Sequence, residues 1–323
     1  MTRDVPVQAP AAFDEGFLDC NDGHRVWYGQ YGNPRGMPLL WLHGGPGSGS
    51  SPRHLQLFDL AHYRVVLSDQ RGCGRSTPAG ALHRNDTALL VEDVARLRGH
   101  LQLGRVLIGG GSWGATLALA HASVHAADVA ALVLRAPFLA SRDEIDGFFA
   151  PFDGDTPGAW EAFAALAPPS HRGALLPWLA GELADGRHEQ RVRIAHGWRR
   201  YEQLRENGVA AAMQPTQEAA MISRYRIQSH YLLHGCFLGE GALLDAARRL
   251  PGMPVALLHG DADSICPPQN AHRLHRCLPE SRLSIVPGAG HDPFHDGMAS
   301  ALAQALAAHA RDAHFGGWGM GHD

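Results

Sequence analysis

The chain has 323 residues, 45% of them hydrophobic and 19% charged, with a formal net charge of -4. That length holds one large α/β domain or a core with an insertion, and so small a charge gives no field that would draw nucleic acid or an anionic membrane. Five scattered cysteines (20, 73, 236, 266 and 277), no apolar leader and no run near the ~20 apolar residues of a membrane span argue against a disulfide framework, a secretion signal and a spanning helix, and set the expectation of a cytoplasmic protein.

In chain order, residues 1–12 read as a loose arm, and 17–19 with 24–28 as an antiparallel hairpin about Asn21-Asp22-Gly23. Residues 38–42 are an apolar strand running into His43-Gly44-Gly45-Pro46-Gly47-Ser48-Gly49. Glycine-rich loops at strand carboxyl ends are where α/β sheets place ligand sites. With no Gly-Lys-Ser/Thr this one is not a P-loop, which leaves a flexible loop or a set of backbone donors for a developing oxyanion. Residues 63–67 form the next strand, followed by Ser68-Asp69-Gln70-Arg71-Gly72-Cys73-Gly74-Arg75-Ser76. Asp69, Arg71 and Arg75 could hold an anion, but such charges more often brace a loop by local ion pairs. Residues 87–103 carry a helical period, with Asp86 or Thr87 as the cap.

Residues 106–108 read as a buried strand and 115–120 as the start of a helix reaching about His125. Between them, Gly110-Gly111-Ser112-Trp113-Gly114 fits Gly-x-Ser-x-Gly, a nucleophile elbow, in the strand–turn–helix setting it requires. The same stretch fits the dinucleotide fingerprint through Gly109, Gly111 and Gly114. Residues 129–134 are another strand. From 141 to 245 the alternation stops, and helices are predicted at 158–166, 174–183, 187–206 and 217–235. Alternation resumes with strands at 254–259 and 282–286 and helices at 268–277 and 298–308, ahead of a weakly ordered tail from His314. The fold class is therefore α/β, a mostly parallel sheet flanked by helices. Its core lies in residues 1–140 and 246–323, with a helical cap at 141–245. Despite 21 histidines, no His-x-x-x-His pair is expected within a helix, no Cys-x-x-Cys is present, and no metal or cofactor is expected.

The elbow has partners. Asp261 and Asp263 follow one late strand and His291 follows the next, in the order Ser…Asp…His. A serine hydroxyl is a weak nucleophile until a base takes its proton. A histidine does so near neutral pH and an aspartate fixes its tautomer. The dinucleotide reading fails on position. Several strands precede the glycines, and the nearby acid, Asp128, precedes the next strand instead of ending it.

Residues 43–47, 69–76, 110–114, His259-Gly260 with Asp263 and Cys266-Pro267, and Gly290-His291 together resemble the proline iminopeptidase family, prolyl aminopeptidases of the α/β-hydrolase superfamily. The resemblance runs from about Gly16 through His291. It implies a serine peptidase removing an N-terminal residue, typically proline, with Ser112, Asp263 and His291 catalytic and the Gly45 and Trp113 N–H groups as the oxyanion hole. It also implies a cap that receives the substrate's amine on carboxylates. Trp198-Arg199-Arg200-Tyr201-Glu202 supplies one of them in Glu202. Where the family pattern reads Arg-Ile-Glu-x-His-Tyr, this chain has Arg226-Ile227-Gln228-Ser229-His230-Tyr231. A buried ammonium needs compensating charge, and the Gln228 amide supplies only a dipole. Two further departures are Ala136-Pro137 where the family has Gly-Ile, and His295 in place of an acid. The substrate is thus expected to be a small peptide or a small-molecule amide or ester. The alternative is an amidase or esterase using the same triad, and a noncatalytic ligand-binding protein is disfavoured by the intact triad. Restoring Glu at 228 is expected to improve hydrolysis of N-terminal proline substrates.

Overall fold

The computed structural model describes residues 10–152, 156–212 and 214–319. Eight strands form one sheet in the order β1-β2-β4-β3-β5-β6-β7-β8. The strands are β1 (Asp14–Asp19), β2 (Arg25–Gly32), β3 (Met37–Leu42), β4 (Tyr63–Ser68), β5 (Val106–Gly111), β6 (Val129–Arg135), β7 (Val255–Gly260) and β8 (Ser281–Val286). The first two are antiparallel, β2 runs antiparallel to β4, and every other pairing is parallel. This is the mostly parallel α/β sheet expected from the sequence.

The near-continuous apolar runs follow from burial on both faces. Successive side chains point to opposite sides. Leu40, Leu42, Val66, Ile108, Leu132 and Leu257 enter one core with helices α1 (Thr87–His100) and α2 (Trp113–Val124). Leu39, Trp41, Val65, Leu107, Val133 and Leu258 enter the other. That second core is closed by α10 (Asp296–Asp312) through Met298, Leu302 and Leu306. Asp86 caps α1, its side chain accepting from the Leu89 N–H at 2.9 Å.

Strand β3 is followed outward by β4, and the chain then crosses to place β5 on the other side of β3. The β3/β5 border is therefore a switch point, where loops diverge and leave a crevice at the strand carboxyl ends. The glycine-rich loop after β3 and the elbow after β5 meet there.

Between β6 and β7 the described residues hold helices and no strand: α3 (Arg142–Phe148), α4 (Ala159–Ala164), α5 (Leu175–Asp185), α6 (His188–Asn207), α7 (Glu218–Leu233) and α8 (Ala242–Arg249). Phe148, Phe149, Phe163, Trp198, Tyr201 and Tyr225 form one aromatic cluster, with Trp198 and Tyr225 stacked at 5.1 Å. Helix α8 packs on α2 of the core, so the boundary expected at 245 falls inside a core-facing helix. Helix α9 (Gln269–His275) follows β7.

His-x-x-x-His spacings occur where α2 and α7 end, at His121/His125 and His230/His234, with ring centroids 4.8 and 4.9 Å apart, but His125 and His234 lie just beyond the last helical residues, Val124 and Leu233. Among the described residues, neither pair belongs to a group of three or more ligating side chains. One expectation needs correction: the tail is not loose as far as it is described. Phe315 is buried beside His309, and Trp318 packs over it on the second core. Residues 320–323, and 1–9 of the arm, lie outside the described residues, while Ala12 already packs on the core. No described helix is long and apolar enough to cross a membrane, and all five cysteines are free.

Candidate active site

The elbow is held by contacts that admit no side chain. A Cβ on Gly114 would lie 2.1 Å from the Leu42 carbonyl oxygen, and one on Gly110 would lie 2.5 Å from the Gly114 carbonyl carbon. Ser112, at φ 57° and ψ -124°, takes up the turn between β5 and α2. Such backbone costs a non-glycine residue about 1–3 kcal/mol and persists where surroundings enforce it. Here the enforcement includes its N–H, which donates to the Arg135 carbonyl of β6 at 2.9 Å.

The loops after β7 and β8 bring Asp263 and His291 together. Asp263 Oδ2 lies 2.7 Å from His291 Nδ1, and Oδ1 accepts from the Ile265 and Cys266 N–H groups, both at 2.9 Å. His259, wholly buried, faces the same carboxylate at 3.4 Å. Burial alone would raise the Asp263 carboxyl. The charge on His291 and hydrogen bonds from His259 and His291 outweigh it and hold the group well below the usual carboxylate range. Asp261, two residues earlier, instead accepts from the Gly288 N–H at 2.7 Å and braces a turn. Arg135 Nη1 donates to the His291 carbonyl at 2.8 Å, which anchors the backbone of the loop that carries His291. Ser112 Oγ lies 3.9 Å from Cys266 Sγ, and among the described residues it makes no hydrogen bond to His291. Catalytic bonds are often long in unliganded sites and tighten with substrate.

The loop after β3 is braced as the sequence charges suggest. Buried Asp69 accepts from the Ser50 N–H and hydroxyl, both at 2.6 Å, and from Arg75 Nε at 2.7 Å. Arg71 pairs with Asp93 at 2.5 Å and Asp22 at 2.6 Å. Gln70 donates to the His43 carbonyl at 2.9 Å and accepts from Trp113 Nε1 at 2.8 Å. The loop carrying Gly45 is thereby tied to the first residue of α2. The Trp113 N–H opens that helix and has no intrahelical acceptor, and Gly45 adopts φ 117°, which favours glycine.

A cavity of about 260 Å³ collects Gly45, Ser112, Glu202, Gln228 and His291 on its walls. Asp263 stands behind His291, and the Trp113 ring is buried against Tyr231 at 5.1 Å. Glu202 accepts from Arg224 Nη2 at 3.1 Å, the Tyr225 hydroxyl at 2.8 Å and Gln228 Nε2 at 2.7 Å. Sequence reasoning missed two further carboxylates on this wall, Glu144 and Glu206. Glu144 had a legible signal, the Ser141-x-x-Glu144 capping box that opens α3. Glu206 follows Glu202 by one helical turn. His295 is not part of the cavity wall.

A family profile for the alpha/beta hydrolase fold matches residues 37–298. A proline iminopeptidase of Xylella fastidiosa (strain 9a5c) is 38% identical over 303 residues, covering 91% of this chain and 95% of its own length. The chain belongs to the proline iminopeptidase family of α/β hydrolases. Its relative in Arabidopsis thaliana is 36% identical over 303 residues, 91% of this chain and 79% of the plant protein. Among solved structures, an esterase from Exiguobacterium antarcticum superposes with a TM-score of 0.62 at 19% identity, over 93% of this chain and 100% of the esterase. That likeness is one of fold.

Within the family pattern, two departures acquire physical content. Ala136, where glycine is usual, is buried at φ 44°, so it carries strain a glycine would not. Gln228 is buried on the cavity wall with its amide nitrogen committed to Glu202.

Proposed function

We propose that this proline iminopeptidase family member is a serine hydrolase that releases an N-terminal residue, typically proline, from small peptides through an acyl-enzyme. Ser112 attacks the carbonyl. His291 takes its proton and returns it to the leaving amine, with Asp263 fixing the Nδ1–H tautomer. The N–H groups of Gly45 and Trp113 receive the oxyanion. The helical segment 141–245 acts as a cap over the site, and Glu202 with Gln228 faces the substrate's amino end. The observation that carries the reading is one cavity holding the elbow serine, the histidine and Glu202, in a chain 38% identical to a proline iminopeptidase. The cavity's volume of about 260 Å³ lies at the small end for ligand sites, which suits one compact residue. Five free cysteines, four of them buried, suit a reducing compartment and support the cytoplasm as its place.

Gln228 favours a second reading, an amidase or esterase on a substrate without a charged amine. Prolyl and alanyl arylamides assayed beside simple aryl esters separate the two. The peptidase reading expects the prolyl arylamide to lead, and a preference for uncharged esters over every arylamide would overturn it. Labelling by a fluorophosphonate, lost in Ser112→Ala, tests the nucleophile under either reading.

A further inference from the structure

Three glutamates line the cavity beside Ser112 and His291: Glu144, Glu202 and Glu206. Two are already engaged. Glu144 accepts from the Leu139 N–H at 3.2 Å, the Ser141 N–H at 3.1 Å and Asn270 Nδ2 at 2.5 Å. Glu202 has Arg224 and Tyr225 on one oxygen and Gln228 on the other. An ionised carboxylate only accepts, so the group Gln228 turns toward Glu202 must be its NH2. Its carbonyl oxygen is left buried without a hydrogen-bond partner, in a residue only 6% exposed on the cavity wall. An unpaired buried acceptor of this kind calls for a donor.

Glu206 lies one turn beyond Glu202 on α6, so the two share a helix face. Among the described residues it has neither a hydrogen bond nor an ion pair. The end of α6 is pinned beside the triad. Arg205 donates to the Ser264 carbonyl at 2.9 Å, and the Ser264 hydroxyl donates to the Arg205 carbonyl at 2.7 Å, in the loop that carries Asp263. Burial first, then the charges on Asp292 and Glu202, raise the Glu206 carboxyl above its ordinary value, against the opposing pull of His291 and Arg135. A carboxylate so placed gains from a cation.

We propose that the substrate's free ammonium is received jointly by Glu206, which supplies the charge, and by the Gln228 carbonyl oxygen, which supplies a neutral acceptor. The second negative charge of amine recognition thus sits on α6, in place of the family glutamate missing from α7. The ligand class is an unblocked N-terminal residue with a cationic amine. This rests on the peptidase reading above.

The test uses the whole protein and two measurements. One is the ratio of kcat/KM for a prolyl arylamide to that for an uncharged aryl ester. The other is the Ki of pyrrolidine, a cation of the proline ring's size, against ester hydrolysis. Glu206→Gln is expected to lower the ratio about 10- to 100-fold, chiefly through KM, and to raise the Ki by a like factor. Adding Gln228→Glu to that variant moves the charge to the other helix and restores both to within about threefold. A ratio and Ki within about twofold of the parent in Glu206→Gln, or an equal loss on both substrates, overturns the assignment. If the parent cleaves the ester but no prolyl arylamide, the peptidase reading fails, and the pyrrolidine Ki still decides what Glu206 binds.

Discussion

Asp263→Asn isolates what the buried carboxylate contributes. The native group divides its oxygens: Oδ1 takes two backbone N–H groups at 2.9 Å and Oδ2 takes His291 Nδ1 at 2.7 Å. In the variant the amide oxygen must keep the first role, because turning NH2 toward Ile265 and Cys266 would leave two donors facing donors, at about 1–3 kcal/mol each. The amide NH2 then faces His291 and donates to Nδ1. That places the imidazole proton on Nε2, the nitrogen that must accept from Ser112. The wrong tautomer and the lost charge together are expected to reduce kcat by about 10³–10⁴, or roughly 4–5.5 kcal/mol of barrier. The assay is steady-state arylamide and ester hydrolysis, with thermal unfolding of the same sample to establish that the variant is folded. A folded variant that loses less than about tenfold would refute the reasoning.

Other perturbations follow from the same contacts. Gly114→Ala drives a methyl to 2.1 Å from the Leu42 carbonyl oxygen, so denaturant unfolding should show a loss of at least about 3 kcal/mol, or no soluble protein. Asp69→Asn removes the charge to which Ser50 and Arg75 donate, and urea titration should report a loss of about 3 kcal/mol, with slower turnover as the Gly45 loop shifts. His121, wholly buried, is held by burial to about 4 against an ordinary 6.5. Between those values the unfolded chain binds the extra proton, so stability falls as pH drops through the window. This residue alone should account for about 2 kcal/mol between pH 8 and pH 5, a slope His121→Leu should flatten in denaturation series at the two pH values.

Much of the architecture was legible because it rests on periodicity. Strands buried on both faces show as unbroken apolar runs, and α1 shows its cap and its period in one stretch. The elbow was legible for a different reason. Its glycines answer local steric demands, since Gly110 and Gly114 each sit where backbone from β3 or α2 passes within a side chain's reach. Strand β5 nevertheless runs to Gly111, beyond the expected 108, because Gly109–Gly111 stay paired with β6, and the Trp41 ring fills the space over Gly109, where a Cβ would lie 2.7 Å from ring carbons. Position alone left Asp261 and Asp263 equivalent, and the resemblance chose between them. In the structure one braces a turn at Gly288 while the other is buried against His291.

The segment 141–245 was legible as helices but not as a cavity wall, and the reason is geometric. Whether Glu206 or its neighbours on α6 face the cavity depends on how α6 rolls against α7, which is set by Trp198 stacking on Tyr225 and by the anchor at Ser264. None of those partners is near in sequence. Gln228 could be recognised as a lost charge, yet its consequence depends on which end of the amide points where. With NH2 held by Glu202, the residue neither repels nor neutralises an incoming ammonium, and it offers one lone acceptor. A glutamate at 228 without any other change would set a carboxylate 2.7 Å from Glu202 in place of a donor, and would add a fourth glutamate to the cavity wall. The simple expectation that Gln228→Glu improves amine recognition therefore needs a condition. The gain should come when Glu206 is neutral, since one cation can compensate only so much like charge in a dry site.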